Sequence, residues 1–261
     1  MQRFAAALGV LLVTACGGAG NGNAEPPAEI PRKRVEVVAT YSHDPEAFTQ
    51  GLLLMGDRIF ESTGLRGRSS LREVDLATGE VRRRVDLPPT LFGEGLASVG
   101  SQLIQLTWTS GTARVYDRES FELVREHSYA TQGWGLCNDG TRLVMSDGSS
   151  TLYFRDPNSF ALEGQIEVLQ SGQPRDRLNE LECVGGKIYA NVFETDWIVE
   201  IDPSTGAVTS AIDASGLLPA AERNRAGVLN GIAYRMGAGT FLLTGKLWPK
   251  MFEVQFVDAP S

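Results

Sequence analysis

The sequence predicts an all-β fold, a five-bladed β-propeller with four-stranded blades. A short motif recurs along the chain, as TQGL at 49–52, GEGL at 93–96, GWGL at 133–136, NELE at 179–182 and LNGI at 229–232. The motif centres at 51, 95, 135, 181 and 231 are 44, 40, 46 and 50 residues apart. A repeat of about 45 residues is typical of propeller blades.

Each copy of the motif is followed by strand-forming segments. Alternating apolar residues directly after the motif predict a strand in every unit, at 57–62, 101–107, 141–146, 187–192 and 240–244. Two further runs joined by an Asp-containing turn predict a hairpin at 70–87, 113–126, 151–168 and 197–213. The motif strand, the strand after it and the hairpin make four strands in each unit, which is the composition of a propeller blade.

The last unit lacks an outer strand. Its final run is 251–256, and residues 35–41 near the N-terminus can supply the missing strand. We expect this pairing to close the ring, because closure removes two sheet edges that would otherwise be exposed. The propeller domain is therefore predicted to span 34–257.

The N-terminus has the features of a targeting segment. Arg3 precedes an apolar stretch at 4–13 that is too short to span a membrane, and the sequence Val-Thr-Ala leads to Cys16. We predict a lipoprotein signal peptide at 1–15 with lipidation of Cys16, and an ordinary signal peptide is the alternative. The following residues are mostly Gly, Asn, Ala, Glu and Pro, which predicts a flexible tether at 16–33. The protein is thus expected to be an exported lipoprotein of the periplasm or cell envelope, attached to the membrane only by its lipid.

Composition narrows the class of function. A hydrophobic content of 42% suits a folded domain, and a net charge of −8 argues against nucleic-acid binding, which needs clustered basic residues. Cys137 and Cys183 each lie two residues after a motif centre, so they form either a disulfide between neighbouring blades or two buried thiols. The polar insertions at 170–177 and 217–226 are either loops around one end of the propeller's central channel or solvent-exposed surface loops without a role in binding.

The residue before each motif centre varies, whereas the frame around it repeats. If the units are equivalent, these variable residues converge near the axis: Gln50, Glu94, Trp134, Glu180 and Asn230. A second ring lies 13 residues beyond each centre, with one member two residues further along: Gly64, Trp108, Gly148, Glu194 and Lys246. Together they predict a ligand pocket. The alternatives are tryptophans packed in the core, a structural carboxylate at Glu94 and a surface cation at Lys246.

Longer runs around these positions resemble the plant and bacterial type of glutaminyl-peptide cyclotransferase. They are HDPEAFTQGL at 43–52, ESTGL at 61–65, FGEGL at 92–96, LTW at 106–108, GWGL at 133–136, LNELE at 178–182, NV at 191–192, LNGI at 229–232 and TGKLWP at 244–249. The resemblance covers about 36–256 and implies a five-bladed propeller. Two residues depart from the family pattern: Phe193 stands where the family usually has Trp, and Gln132 stands where it often has Glu.

The resemblance also implies a reaction, the cyclisation of an N-terminal glutamine to pyroglutamate with release of ammonia. Glu94 is then expected to carry a proton from the amine to the leaving nitrogen, without a metal or other cofactor. The remaining residues are expected to bind the substrate: Phe48, Phe92, Trp108, Trp134 and Phe193 as an aromatic wall, Lys246 and Asn179 at the amide or oxyanion, and Gln50 and Glu180 at the amine or backbone. The expected partners are peptides or proteins with N-terminal glutamine, and the enzyme is expected to be a monomer. The sequence leaves both the presence and the absence of a structural calcium ion as alternatives.

Two other functions fit the residues alone. Glu94, Asn179, Glu180 and Asn230 could supply oxygen ligands for a metal-dependent lactonase or sugar-acid hydrolase. A non-catalytic lipoprotein scaffold would use the propeller face for protein contacts, and it would not need a convergent set of Glu, Lys and Trp.

Overall fold

The computed structural model describes residues 30–260. The predicted signal peptide, the predicted lipidation site at Cys16 and most of the predicted tether lie outside the described residues. Residues 30–260 form strands and one short 3₁₀ helix, and none of the helices in that range is long and apolar enough to cross a membrane. The chain is therefore all-β over the described range, as the sequence predicts.

The strands form antiparallel sheets whose members follow one another along the chain. The first strand, β1, is Arg32–Ser42. The next sheet contains β2 (Thr49–Met55), β3 (Arg58–Thr63), β4 (Ser70–Asp75) and β5 (Val81–Asp86). A second four-stranded sheet contains β6 (Gly93–Val99), β7 (Gln102–Thr107), β8 (Thr112–Asp117) and β9 (Leu123–Ser128). A third contains β10 (Leu136–Asn138), β11 (Leu143–Ser146), β12 (Thr151–Arg155) and β13 (Leu162–Glu167).

The remaining strands form a small hairpin and an eight-stranded sheet. The hairpin is β14 (Leu169–Gln170) with β15 (Gln173–Pro174). The strands that follow are β16 (Leu178–Val184), β17 (Lys187–Val192), β18 (Trp197–Ile201), β19 (Val208–Asp213), then, after the 3₁₀ helix at Ala220–Glu222, β20 (Leu229–Arg235), β21 (Thr240–Gly245) and β22 (Lys250–Asp258). The order across this sheet is β16-β17-β18-β19-β1-β22-β21-β20.

Strand β1 joins the two halves of the eight-stranded sheet. It runs antiparallel to β22 from the pair Lys33 and Asp258 to the pair Ser42 and Lys250. Its first three residues also pair in parallel with Ala211–Asp213 of β19. The sequence predicted that residues 35–41 pair with the last unit, but it did not predict the pairing with β19. The two pairings together provide hydrogen-bond partners for backbone groups on both sides of β1, between the two halves of the sheet.

The repeated motif builds the core between neighbouring sheets. In four copies the residue after the centre is a Leu or Ile that is fully buried, at Leu52, Leu96, Leu136 and Ile232, and in the NELE copy the buried apolar residue is the centre itself, Leu181, at 1% exposed. The strands at or directly after the motif, β2, β6, β10, β16 and β20, are called the inner strands. Four of the five motif centres are glycine, which allows neighbouring inner strands to approach closely. A Cβ atom on Gly51 would lie 2.6 Å from the backbone nitrogen of Leu96, and one on Gly95 would lie 2.5 Å from that of Leu136. The Gly-Leu frame therefore recurs because each sheet packs on the next in the same way.

A disulfide joins two inner strands. Cys137 of β10 and Cys183 of β16 are bonded, with their Cα atoms 5.5 Å apart. Of the two alternatives left by the sequence, the structure shows the bridge rather than two free thiols.

Candidate functional site

A cavity of about 280 Å³ opens where the inner strands begin. Three of its lining residues lie at the start of inner strands, in β2, β6 and β16, and the others lie in the adjoining loops. The lining consists of five aromatic side chains, two amides, one carboxyl group and one amine, contributed by Phe48, Gln50, Phe92, Glu94, Trp108, Trp134, Asn179, Phe193 and Lys246. Of the ten residues predicted to act in catalysis or substrate binding, nine are in this lining and Glu180 is not.

β-Bulges lie at three of these side chains, those of Gln50, Glu94 and Asn179. The register of the inner strand against its neighbour shifts between Thr49 and Gly51, between Gly93 and Leu96, and at the equivalent places in β16 and β20. A bulge places an additional residue opposite one residue of the partner strand and redirects its side chain. In β2 and β6 the bulge contains the variable position of the repeat, Gln50 or Glu94, and in β16 it contains both Asn179 and Glu180.

The prediction that Glu180 lies in the pocket is not met by its position. Its side chain is buried behind the wall, where one carboxyl oxygen accepts a hydrogen bond from the backbone N–H of Leu52 (3.2 Å) and the other from that of Ile232 (2.8 Å). Asn179, the preceding residue, lines the cavity instead. The spacing of the motif locates the bulge in β16 but does not reveal which of its two polar residues turns inward.

Asn230 also lies behind the cavity. Its amide nitrogen donates to the backbone oxygen of Thr49 (3.0 Å) and to Oε1 of Gln50 (3.2 Å). Of the first ring, Gln50, Glu94 and Trp134 therefore line the cavity, whereas Asn230 contacts Gln50 from outside the lining.

The second ring is similarly divided. Trp108 and Lys246 line the cavity, and Gly148 provides space for an indole, because a Cβ atom there would lie 2.7 Å from the ring of Trp134. Glu194 does not enter the cavity. It is exposed and lies 3.5 Å from Arg177, and its neighbour Phe193 forms the wall.

Glu94 has an environment that favours its neutral form. The residue is only 5% exposed. Its Oε1 accepts a hydrogen bond of 3.0 Å from the amide nitrogen of Gln50. Burial raises the pKa of the Glu94 carboxyl well above its ordinary value, and the nearby charge of Lys246 offsets only part of this effect. A carboxyl group with a raised pKa in a cleft suits proton transfer near neutral pH.

Lys246 is the cationic partner in the cavity. The residue is 6% exposed, and burial lowers the pKa of its amine while the carboxyl group of Glu94 opposes that change. Its Nζ atom lies 5.0 Å from the ring centroids of both Phe48 and Phe193. The two aromatic faces stabilise the cation where water is excluded.

The aromatic wall has two halves. On one side, Phe92 packs edge-on against Phe48 at 6.1 Å and against Trp108 at 5.6 Å. On the other, Trp134 packs edge-on against Phe193 at 5.2 Å. These contacts lie within the range of favourable aromatic pairs, so the wall is a packed structure rather than a set of independent side chains.

Two residues near the site were not identified as functional from the sequence. Gln132 appeared only as a departure from the family pattern, yet its Oε1 accepts hydrogen bonds from the indole nitrogens of both Trp108 (2.6 Å) and Trp134 (3.0 Å). His43 is buried, with Nδ1 2.7 Å from the backbone oxygen of Trp248, two residues after Lys246. Each lies within two residues of a quoted motif or inside one, which is the signal that could have drawn attention to it.

One lining residue has an unused acceptor. The amide oxygen Oδ1 of Asn179 is buried and has no hydrogen-bond partner among the described residues. A buried polar atom normally has a partner, so Asn179 is suited to accept a hydrogen bond from an N–H group of a ligand.

Two further observations bear on alternative sites. A larger depression of about 470 Å³ lies against the β14–β15 hairpin beside Arg32 and Trp197, and its described lining contains no carboxyl or imidazole group for proton transfer. Between residues 30 and 260, no group of three or more His, Cys, Asp or Glu side chains is placed to hold a metal ion. The 280 Å³ cavity contains a buried carboxyl group and an amine, from Glu94 and Lys246, and is the better candidate for a catalytic site.

Comparison with known proteins identifies the family of this chain. The family model described as glutamine cyclotransferase matches residues 10–256. The chain is 42% identical over 233 residues to the glutaminyl-peptide cyclotransferase of Arabidopsis thaliana, covering 87% of this chain and 72% of the relative. The crystal structure of Myxococcus xanthus glutaminyl cyclase superposes with a TM-score of 0.81 at 40% identity, covering 89% of this chain and all of that one. These matches confirm the resemblance noted in the sequence, and the chain belongs to the glutamine cyclotransferase family.

Proposed function

We propose that this protein converts the N-terminal glutamine of peptides or proteins to pyroglutamate. The observation that carries the proposal is the buried carboxyl group of Glu94, which lies in an aromatic cavity with Gln50 and Lys246 in a chain of this family. The cavity volume of about 280 Å³ is at the small end of ligand pockets, which suits one amino-acid residue better than a long ligand.

The reaction is an intramolecular acyl transfer. The α-amine attacks the side-chain carboxamide carbon, a C–N bond forms, the original C–N bond breaks, and ammonia leaves. One proton must move from the attacking nitrogen to the leaving nitrogen. Glu94 accepts that proton as a carboxylate and delivers it as a carboxylic acid, so the enzyme is unchanged after one turnover.

Lys246 and Asn179 would act on the reacting amide. The Lys246 amine lies near Glu94 and supplies positive charge for the oxyanion that develops on the carboxamide oxygen. The unused acceptor of Asn179 would receive an N–H of the substrate. Gln50 would hold Glu94 through its hydrogen bond and border the substrate amine.

The aromatic wall would fold the substrate and exclude water. Phe48, Phe92, Trp108, Trp134 and Phe193 present apolar surface to the methylene groups of glutamine. Holding the amine against the carboxamide in the bent conformation supplies much of the acceleration expected of an intramolecular reaction. Excluding water prevents hydrolysis of the amide as a competing reaction.

The wider organisation of the protein follows the same proposal. We propose that the sheets act as five propeller blades, closed by β1 alongside β22, because this arrangement brings the variable residues of the motif to one axis. We also propose that the chain is exported, lipidated at Cys16 and active as a monomer without a cofactor. Glu180 then stabilises the backbone around the site, through its hydrogen bonds to Leu52 and Ile232, and does not bind the substrate.

No specific observation favours the two other functions. Of the oxygen ligands considered for a metal-dependent hydrolase, Glu180 and Asn230 are turned away from the cavity, and Lys246 brings a positive charge into it. A scaffold would not need the buried pair of Glu94 and Lys246.

The proposal is tested by incubating the purified protein with peptides that begin with glutamine. We expect release of one ammonia per peptide, detected by coupled assay and mass spectrometry, and undiminished by EDTA. The same peptides with an acetylated amine are the substrate control, because they lack the nucleophile.

Glu94→Gln should remain folded and lose roughly 10²- to 10⁴-fold in rate, the scale of general acid–base catalysis. Wild-type turnover in that variant would remove Glu94 from the mechanism.

A further inference from the structure

Two tryptophans of the cavity wall depend on one oxygen atom. Trp108 follows β7 and Trp134 precedes β10, so the two indoles come from different sheets. Both indole nitrogens donate to Oε1 of Gln132, at 2.6 and 3.0 Å. This oxygen is the connection between the two halves of the aromatic wall.

The two donors determine how the Gln132 amide is oriented. An indole N–H can only donate, so the atom that faces both rings must be the carbonyl oxygen of Gln132 and not its nitrogen. The residue is exposed in the loop before Gly133, and its Nε2 makes no hydrogen bond with the described residues. The uncharged amide group therefore lies at the rim of the cavity.

The residues next to Trp134 in the chain do little to orient its indole ring. Gly133 and Gly135 flank it, and Gly148 lies against its ring, so no side chain from these positions restrains the indole. The edge-on contact with Phe193 at 5.2 Å supports one part of the ring. The hydrogen bond to Gln132 restrains the nitrogen edge, which the aromatic contact does not.

We propose that Gln132 is a positioning and specificity residue of this site. Its carbonyl holds both indoles in the orientation that closes the wall, and its uncharged amide makes the rim tolerant of either charge on the residue that follows glutamine. The specificity part rests on the proposed function. The positioning part does not, because it concerns the indoles themselves.

Two substitutions separate these effects. Gln132→Met has a similar length and no oxygen acceptor, so both indole hydrogen bonds are lost. Gln132→Glu keeps an oxygen acceptor and adds a negative charge at the rim. Because residue 132 is exposed, both variants are expected to fold, and thermal melts check this.

The first measurement is spectroscopic. In ¹H–¹⁵N spectra, the indole signals of Trp108 and Trp134 should move in Gln132→Met and stay closer to their wild-type positions in Gln132→Glu. Trp248 is an internal control, because its indole donates to the backbone oxygen of Gly227 (2.9 Å), away from Gln132. Unchanged signals for Trp108 and Trp134 in Gln132→Met would overturn the positioning role, whether or not the protein is active.

The second measurement is kinetic, with peptides whose second residue is Ala, Glu or Lys. For the Ala peptide, Gln132→Met should lose about tenfold in kcat/KM, the scale of one or two neutral hydrogen bonds, and Gln132→Glu should recover most of it. Gln132→Glu should raise KM for the Glu peptide and lower it for the Lys peptide, whereas the wild type should differ little between them.

Two results would contradict the proposal. One is an equal fall in kcat/KM for the Ala peptide in both variants, and the other is a large difference in KM between the Glu and Lys peptides in the wild type. Absence of ammonia release by the wild type would instead refute the proposed function, and the indole spectra would still decide the positioning role.

Discussion

The amide nitrogen of Gln50 donates a hydrogen bond of 3.0 Å to Oε1 of Glu94, across the junction of two sheets. Gln50 is itself oriented from behind, because Asn230 donates to its Oε1 at 3.2 Å. The three residues occupy the variable position of three different repeats. The bulges therefore bring together one proton-transfer group, one hydrogen-bond donor to it and one residue that fixes the donor.

Removal of this hydrogen bond should shift the pH dependence of the reaction. The Gln50 amide favours the ionised form of Glu94, so Gln50→Leu should raise the pKa of Glu94 further above its ordinary value. The catalytic carboxylate would then be lost at a higher pH as the solution is acidified. We expect the acidic limb of the kcat/KM profile to move to higher pH relative to the wild type. An unchanged limb, with normal folding, would show that Glu94 ionisation does not set it.

Lys246 should affect both the rate and the same acidic limb. Its charge partly offsets the effect of burial on Glu94, so Lys246→Met should raise the pKa of Glu94 and remove the cation from the reacting amide. We expect kcat/KM to fall by about 10²-fold or more, the scale for loss of one electrostatic stabiliser in an active site. Lys250→Met is the matched control, because Lys250 pairs with Glu222 at 2.6 Å and does not line the cavity. A similar loss in both variants would point to a general charge effect rather than to the site.

His43 should stabilise the site in a pH-dependent way. Its Nε2 lies 3.0 Å from Glu61, and the chain segment after it contacts the Lys246 turn through a hydrogen bond of 2.7 Å from the N–H of Leu247 to the oxygen of Ala47. Burial disfavours the imidazolium, but the charge of Glu61 and its hydrogen bond outweigh burial and raise the pKa of His43. The stabilisation is thus complete below the ordinary pKa of about 6.5 and is lost as pH rises through the raised value.

The corresponding experiment compares the wild type with His43→Gln, which keeps a polar side chain of similar size. We expect the variant to have the lower melting temperature, with a larger difference at pH 6 than at pH 9. Because Arg72 still pairs with Glu61 in the variant, the cost should be below the ~3–5 kcal/mol expected when a buried charge loses its only partner. His127→Gln is the control, because His127 is not among the residues that line the cavity and is only partly buried. A difference that grew with pH would contradict the assignment of a charged His43.

The disulfide should contribute stability without taking part in the reaction. Cys137 and Cys183 are 46 residues apart in sequence, and closing a loop of that length stabilises the folded state by about 4 kcal/mol in the chain-entropy model. Urea unfolding of the reduced protein, and of the Cys137→Ser/Cys183→Ser variant, should show this loss in the free energy of unfolding. A reducing agent should have no further effect on the double variant, and kcat at low temperature should be close to that of the wild type. A large fall in kcat with little loss of stability would indicate a role in the site.

Much of the strand pattern was predictable because short-range rules determine it. The strands predicted at 57–62, 101–107 and 187–192 correspond to Arg58–Thr63, Gln102–Thr107 and Lys187–Val192. Alternating apolar residues and Asp-containing turns act within a few residues, so one sequence is enough to locate them. The parallel pairing of β1 with β19 was missed because it depends on where distant strands end in space.

Most of the cavity lining was also predictable, since equivalent positions of a repeat occupy equivalent places in the fold. Glu180 is the exception that shows the limit of this argument. Asn179 and Glu180 are neighbours at one bulge, and the backbone donors of Leu52 and Ile232 on other strands decide which side chain is retained behind the wall. The role of Gln132 was hidden for the same reason, because its two donors are brought to it by separate loops.

The sequence by itself determined the repeat, the all-β class, the family and the chemical types available to the site, because these depend on residue identity and spacing. The tertiary structure decided which of those residues meet: the disulfide between Cys137 and Cys183, the inward choice of Asn179 over Glu180, and the shared acceptor at Gln132. The physical reason is that hydrogen bonds and desolvation act over a few ångströms in space. Only packing of the sheets brings residues from distant parts of the chain within that range.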